Sequence, residues 1–145
     1  MLREIRILVV EDNVAVATTL REVLVRAGGE VIGPVNTLAQ AQRAAESEVL
    51  SVAILDIDLN GLQVWPVARI LESRGIPFVF HSASPLADGW RHHVRLEKPA
   101  KHINLIQSLA QAARRQTVSI ETTDSPAFNA ADTTAARRTA DIGAR

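Results

Sequence analysis

Short runs of β-branched and aliphatic residues alternate along the chain with longer stretches in which apolar residues return every three or four positions. The first pattern is that of strands and the second that of amphipathic helices, and their alternation predicts an α/β parallel sheet flanked by helices. Ile5 to Val10 is almost wholly apolar, as a strand covered on both faces must be. Behind Glu11-Asp12-Asn13 a helix is predicted with Val16, Leu20, Val23 and Leu24 on one side, Asn13 as its N-cap and Gly28-Gly29 as its stop. Glu30 to Val35 reads as a second strand. Thr37 with Gln40 is similar to a capping box and opens a helix that turns Leu38, Ala41 and Ala45 inward.

Val52 to Leu55 reads as the third strand, ending at Asp56, and Asp58-Leu59-Asn60-Gly61 has turn chemistry. The next helix carries Val67, Ile70 and Leu71 inward, accepts Pro66 in its first turn and stops at Gly75. Ile76 to Phe80 reads as the fourth strand and Val94 to Leu96 as a short fifth. A last helix is predicted from about Lys101 to Arg115 through Ile103, Ile106, Leu109, Ala110 and Ala113, which makes five βα units. From 116 onward large apolar residues nearly vanish in favour of Thr, Ala, Ser and Asp. The chain therefore divides into a domain of 1–115 and an expected flexible tail of 116–145.

Composition narrows the functions open to such a domain. Sixteen basic residues balance sixteen acidic ones, so no strongly basic surface for nucleic acid is indicated. The absence of cysteine excludes disulfides, thiolate metal sites and cysteine nucleophiles, and fits a reducing compartment. No apolar run approaches the ~20 residues needed to cross a bilayer. The N-terminus enters a strand at once and leaves no room for a signal peptide, so a cytoplasmic protein with no membrane partner is expected.

Ligands of an open parallel sheet bind beyond the carboxyl ends of its strands. There the predicted order places Glu11 and Asp12 behind strand one, Asp56 behind strand three, Ser82 behind strand four and Lys98 behind strand five. Singly, each has a plain structural explanation: Glu11 and Asp12 as first-turn helix acids, Asp56 as a turn residue, Lys98-Pro99 as a surface lysine before a helix. Their conjunction at one end of the sheet is what points to a site. Two like charges ~5 Å apart repel by about 3 kcal/mol at an effective dielectric of ~20. Clustered carboxylates therefore either raise one another's pKa or demand a hard cation with oxygen ligands, most naturally Mg²⁺.

Ile7-Leu8-Val9-Val10-Glu11-Asp12-Asn13, Leu55-Asp56-Ile57-Asp58-Leu59-Asn60-Gly61, Ser82-Ala83 and Lys98-Pro99, taken in order, resemble the receiver domain of two-component response regulators. The resemblance covers about residues 4–115. Val31-Ile32-Gly33-Pro34 and Gly75-Ile76-Pro77-Phe78-Val79-Phe80 further resemble a subgroup common among stand-alone receivers. It implies a flavodoxin-like (CheY-like), doubly wound sheet of five parallel strands. It also implies that Asp56 accepts a phosphoryl group from a histidine kinase or phosphotransfer protein in a Mg²⁺-dependent step. Asp12, Glu11, Asp56 and the backbone carbonyl of Asp58 would hold the metal, Lys98 would pair with the phosphoryl oxygens and Ser82 would hydrogen-bond to one of them. Transfer and later hydrolysis would be self-catalysed, so the chain is not expected to be an enzyme in the usual sense. Output would run through contacts with a further protein, or the chain would act as a phosphate sink.

Two features depart from that family's pattern. Arg95 stands where members usually carry an aromatic residue that rotates inward on phosphorylation, a move a charged side chain cannot make cheaply. Between Ser82 and Lys98, Pro85 and Asp88-Gly89 break the helical pattern, so the fourth helix is expected to be shortened or irregular. Trp90 has two readings, replacement of the missing aromatic or closure of the core edge. His81, His92 and His93 lack further soft ligands nearby and read as loop histidines ahead of a zinc site, with His81 close enough to the acidic rim to tune phosphoryl lifetime. Two other functions compete: a receiver-fold scaffold that is not phosphorylated, and an aspartate-nucleophile phosphatase suggested by Asp56-Ile57-Asp58-Leu59-Asn60.

Overall fold

In the computed structural model, which describes residues 1–123, the elements run β1 (Arg6–Val10), α1 (Val14–Arg26), β2 (Glu30–Val35), α2 (Leu38–Ser47), β3 (Val52–Leu55), β4 (Asp58–Leu59), β5 (Leu62–Gln63), α3 (Trp65–Ser73), β6 (Phe78–Ser82), β7 (Arg95–Glu97) and α4 (His102–Thr123). The five longer strands form one sheet in the order β2-β1-β3-β6-β7, parallel throughout. This is the doubly wound architecture that the resemblance implies, built on the parallel sheet that the alternating pattern predicts.

The strands are apolar on both faces because each face meets a different pair of helices. Leu8, Val10, Ala53, Leu55, Phe78 and Phe80 pack with Ala41, Ala45, Val67 and Leu71 of α2 and α3. The intervening Ile7, Val9, Val52, Ile54 and Val79 pack with Leu20 and Leu24 of α1 and with Leu105 and Leu109 of α4. Strand periodicity of two thus feeds two cores from one sheet. Local signals act as predicted at the helix starts: Asn13 Oδ1 accepts from Val16 N at 3.0 Å, and Thr37 Oγ1 accepts from Gln40 N at 3.2 Å.

Four expectations need correction. The fourth strand is Phe78–Ser82 rather than 76–80, because Pro77 has no N–H and contributes only its carbonyl, to Ala53 N. The fifth is Arg95–Glu97, one residue later than read. No helix separates β6 from β7, so the described residues contain four helices and the fourth βα unit lacks its helix. Residues 83–94 instead make turns, among them Trp90 N to Ala87 O and His93 N to Trp90 O, both 3.0 Å. Finally, α4 continues past Arg115 to Thr123, so the first residues read as tail are helical; 124–145 lie outside the described residues.

Residues 1–114 make one compact unit. Its β1–β2 ladder carries an irregularity between Leu8 and Val10, opposite Gly33, whose φ is +101°. A Cβ there would stand 2.7 Å from Val35 N and 3.1 Å from Val9 O, both backbone atoms that cannot step aside. Gly33→Ala is therefore expected to lower stability by about 2–3 kcal/mol in urea denaturation, whereas a loss under 0.5 kcal/mol would mean the strand relaxes freely.

Candidate functional site

The chain leaves β1 toward β2 on one side and returns to β3 on the other, so the loops behind the carboxyl ends of β1 and β3 diverge and open a crevice. Backbone bonds fix both loops at their roots: Asp56 N donates to Val10 O at 2.9 Å and Glu11 N to Val35 O at 3.0 Å. The crevice therefore receives Glu11 and Asp12 from one side and Asp56 from the other. One carboxylate oxygen from each of these three residues lies within 4.8 Å of the others. Glu11 is 1% and Asp56 7% exposed, so little water is available to screen them.

Lys98 enters from the loop behind β7. Its Nζ lies 2.8 Å from Glu11 Oε1 and 3.1 Å from Asp56 Oδ2. Its backbone N donates to Ser82 O at 3.3 Å, which seats the Lys98 loop against the end of β6. Ser82 is the last residue of that strand, 1% exposed, and its Oγ accepts from Ser84 N at 3.0 Å. The five residues predicted to share one rim thus do so.

The charges do not balance without help. Burial, reinforced by Asp56, pushes the Glu11 carboxyl up to about 7 against the pull of Lys98 and the Asn13 N–H. Burial alone would lower Lys98, but its bonds to Glu11 and Asp56 carry its pKa upward. Three carboxylates facing one ammonium leave the pocket short of positive charge. The donor set is all oxygen and hard, so a divalent cation of that kind fits the three carboxylates.

Asp58 behaves differently. Its carboxylate is exposed and stays outside the cluster, accepting from Gly61 N at 3.1 Å. The segment around it is a two-residue hairpin joining β4 to β5, with Asn60 at φ +53° and Gly61 at φ +88°. That turn aims Asn60 N at Asp12 Oδ2, 2.8 Å away, while Asn13 N donates to Glu11 Oε2 at 3.2 Å. Sequence reasoning missed both backbone donors; the Asn-Gly dipeptide was the available signal for the first.

Among the histidines, His81 is 5% exposed with neither ring nitrogen bonded, and burial together with Lys98 lowers its pKa to about 4. It shares the parity of Val79 and lines a cleft of about 270 Å³ with Val16, Leu20, Pro99 and His102. His93 stacks on Phe78 with ring centroids 4.9 Å apart, its Nε2 3.5 Å from Glu72. No histidine joins a metal-ligand group among the described residues. Trp90 closes the core edge: it is buried, stacked on Trp65 at 5.7 Å and tilted against Phe78 at 6.1 Å. Arg95 reaches back over the loop beyond Ser82, its Nε donating to Ser84 O at 2.8 Å and its Nη2 to Ala83 O at 3.2 Å.

No protein-family model and no curated protein matches the chain. Solved structures do. A response regulator receiver domain protein (CheY-like) from Methanospirillum hungatei JF-1 superposes with a TM-score of 0.70 at 19% identity, over 82% of this chain and 99% of that one. This chain has the receiver-domain fold. The receiver domain of a modulated diguanylate cyclase from Desulfovibrio desulfuricans G20 matches equally well, with a TM-score of 0.70, 25% identity and coverage of 79% and 98%. The receiver domain of a sensor histidine kinase from Pseudomonas aeruginosa PAO1 gives 0.66 at 26% identity, over 76% of this chain and 98% of that one. That structure has a magnesium ion coordinated in its active-site cleft. In the present chain the passage from β6 to β7 has no helix, and Arg95 hydrogen-bonds to its first residues. No helix among the described residues is long and apolar enough to cross a membrane.

Proposed function

We propose that the protein is a phosphoacceptor of two-component signalling, taking a phosphoryl group onto Asp56 from a phosphohistidine of a histidine kinase or phosphotransfer protein. The observation that carries this reading is the carboxylate triad at the switch point with Lys98 Nζ 3.1 Å from Asp56 Oδ2. Glu11, Asp12 and Asp56, with the backbone carbonyl of Asp58, would hold Mg²⁺. When bound, the ion supplies neutralisation of charge on the transferring phosphoryl oxygens.

The chain's own residues do the rest. An Asp56 carboxylate oxygen attacks phosphorus in line; the new P–O bond forms as the P–N bond to the donor imidazole breaks, and that nitrogen keeps the electron pair. Lys98 turns from carboxylate oxygen to phosphoryl oxygen. Ser82, whose Oγ now accepts from Ser84 N, can donate its O–H to the phosphoryl group once the loop shifts. His81 stays neutral at physiological pH and so adds no second cation to compete for the phosphate. In this reading transfer and hydrolysis are self-catalysed, and the protein acts as a cytoplasmic signalling relay or phosphate sink rather than as a turnover enzyme.

Incubation with Mg²⁺ and acetyl phosphate followed by intact mass measurement tests this. The protein should gain one phosphoryl group and Asp56→Asn none. Absence of modification would indicate a scaffold, and turnover of many small phosphate esters a hydrolase; either overturns the proposal.

The buried glutamate adds a pH prediction. A carboxyl raised from 4.5 to about 7 holds a proton in the folded state that the unfolded chain has lost, so without divalent cation stability should fall as pH rises across that window and level off above it. Mg²⁺ binding needs the carboxylate, so the thermal stabilisation it confers should grow over the same range. Equal stabilisation at pH 5.5 and pH 8 would remove Glu11 from the metal site.

A further inference from the structure

We infer that Arg95 is a positioning residue for the site proposed above, a clamp that holds residues 82–84 at rest and sets how readily Ser82 reaches a phosphoryl group on Asp56. The inference rests on that phosphoacceptor reading and deepens it by assigning its conformational control.

Arg95 opens β7, the edge strand, where it pairs with Phe80 of β6. Among the described residues no carboxylate pairs with its guanidinium. Instead Nε and Nη2 donate to the consecutive carbonyls of Ser84 and Ala83, at 2.8 and 3.2 Å. Two donors fixed in one plane grip two adjacent peptide groups, and so constrain the direction of the loop as well as its distance from the sheet.

The gripped segment is the one the chemistry has to move. The β6–β7 ladder ends at the Ser82–Glu97 pair, and no helix follows to hold 83–94. Ser84 N holds Ser82 Oγ at 3.0 Å, so the hydroxyl is tied into its own loop. Turning Ser82 toward a phosphoryl oxygen breaks its bond from Ser84 N and so disturbs the 83–84 peptide, whose carbonyl and the next Arg95 holds. The Arg95, Ser84 and Ser82 contacts are consequently made or broken together. In the resting protein they hold the Ser82 hydroxyl oxygen in its own loop; on phosphorylation their loss opposes engagement.

The test uses the full chain and beryllofluoride with Mg²⁺, a non-covalent stand-in for the phosphoryl group on Asp56. Arg95→Ala should bind beryllofluoride at least about tenfold more tightly than the native protein, the return expected for removing a charge-assisted bond that the bound state must break. Amide exchange at 83–85 should be faster in the same variant without ligand. Arg95→Lys, which keeps the charge and the stem but not the fork, should lie between, and it serves in its place if Arg95→Ala does not fold. Adding Ser82→Ala should abolish the gain, which a merely structural loosening would leave intact. Equal affinity of the native protein and both Arg95 variants, or a gain that survives Ser82→Ala, overturns the clamp. Failure of the native protein to bind beryllofluoride, or equal binding by Asp56→Asn, overturns the underlying reading and the clamp with it.

Discussion

Lys98→Met is expected to bind Mg²⁺ about tenfold more tightly than the native protein and yet to accept phosphate from acetyl phosphate about a hundredfold more slowly. Both effects come from one ammonium group. In the resting site Lys98 Nζ sits 2.8 Å from Glu11 and 3.1 Å from Asp56, a cation in the place where a metal's charge is wanted. Removing it leaves the carboxylates with no competing positive charge, so the metal is held more firmly. During transfer, however, the same ammonium has to follow the phosphoryl oxygens, and methionine has no charge to bring. A third readout is independent of chemistry: without divalent cation, two buried carboxylates lose their partner and stability should drop by about 3 kcal/mol above pH 7, largely restored by Mg²⁺. Weaker Mg²⁺ binding in Lys98→Met would show that the lysine supports the metal site instead of opposing it.

Trp90→Ala should cost about 3–4 kcal/mol in denaturant unfolding, the usual penalty for emptying a buried aromatic position. No helix lies between β6 and β7 to hold the segment. Residues 83–94 have no regular backbone hydrogen bonding, so the side chains packed beneath them hold the segment down, and Trp90 is in ring contact with Trp65, Phe78, Phe80 and His93. Amide exchange of 83–94 should rise disproportionately in the variant, ahead of global opening. Val94→Ala, at a site 38% exposed in the same segment, should change stability by less than about 0.5 kcal/mol. A Trp90→Ala loss below 1 kcal/mol would mean that the turns hold themselves.

Much of the fold is legible because the physics that sets it is local. β1, β3 and β6 announce themselves as apolar runs, and the Asn13 and Thr37 caps lie within three residues of the N–H groups they satisfy. Pro85 and Asp88-Gly89 rightly deny a regular helix before β7, though not that the helix is missing altogether. The site residues are legible for a different reason: strand order alone sends the ends of β1, β3, β6 and β7 to one rim, whatever the side-chain details.

What escapes the sequence depends on register between distant segments. Asn60 N meets Asp12 across 48 positions only because the short hairpin folds back over the crevice. The hold of Arg95 on Ser84 depends on where the edge strand starts, which is one residue later than its apolar pattern suggests. The Asp58 carboxylate lies outside the acidic cluster because the hairpin turns it toward Gly61.

The stacked pair at the α3 edge carries a practical dividend. The chain has two tryptophans and no tyrosine, so its near-ultraviolet absorption is essentially that of two indoles lying 5.7 Å apart with their planes 12° from parallel. Rings so placed couple as excitons. Near-ultraviolet circular dichroism and intrinsic emission therefore watch a single corner of the molecule, the one where 83–94 meets the core, and a stopped-flow trace would time any rearrangement there without a label.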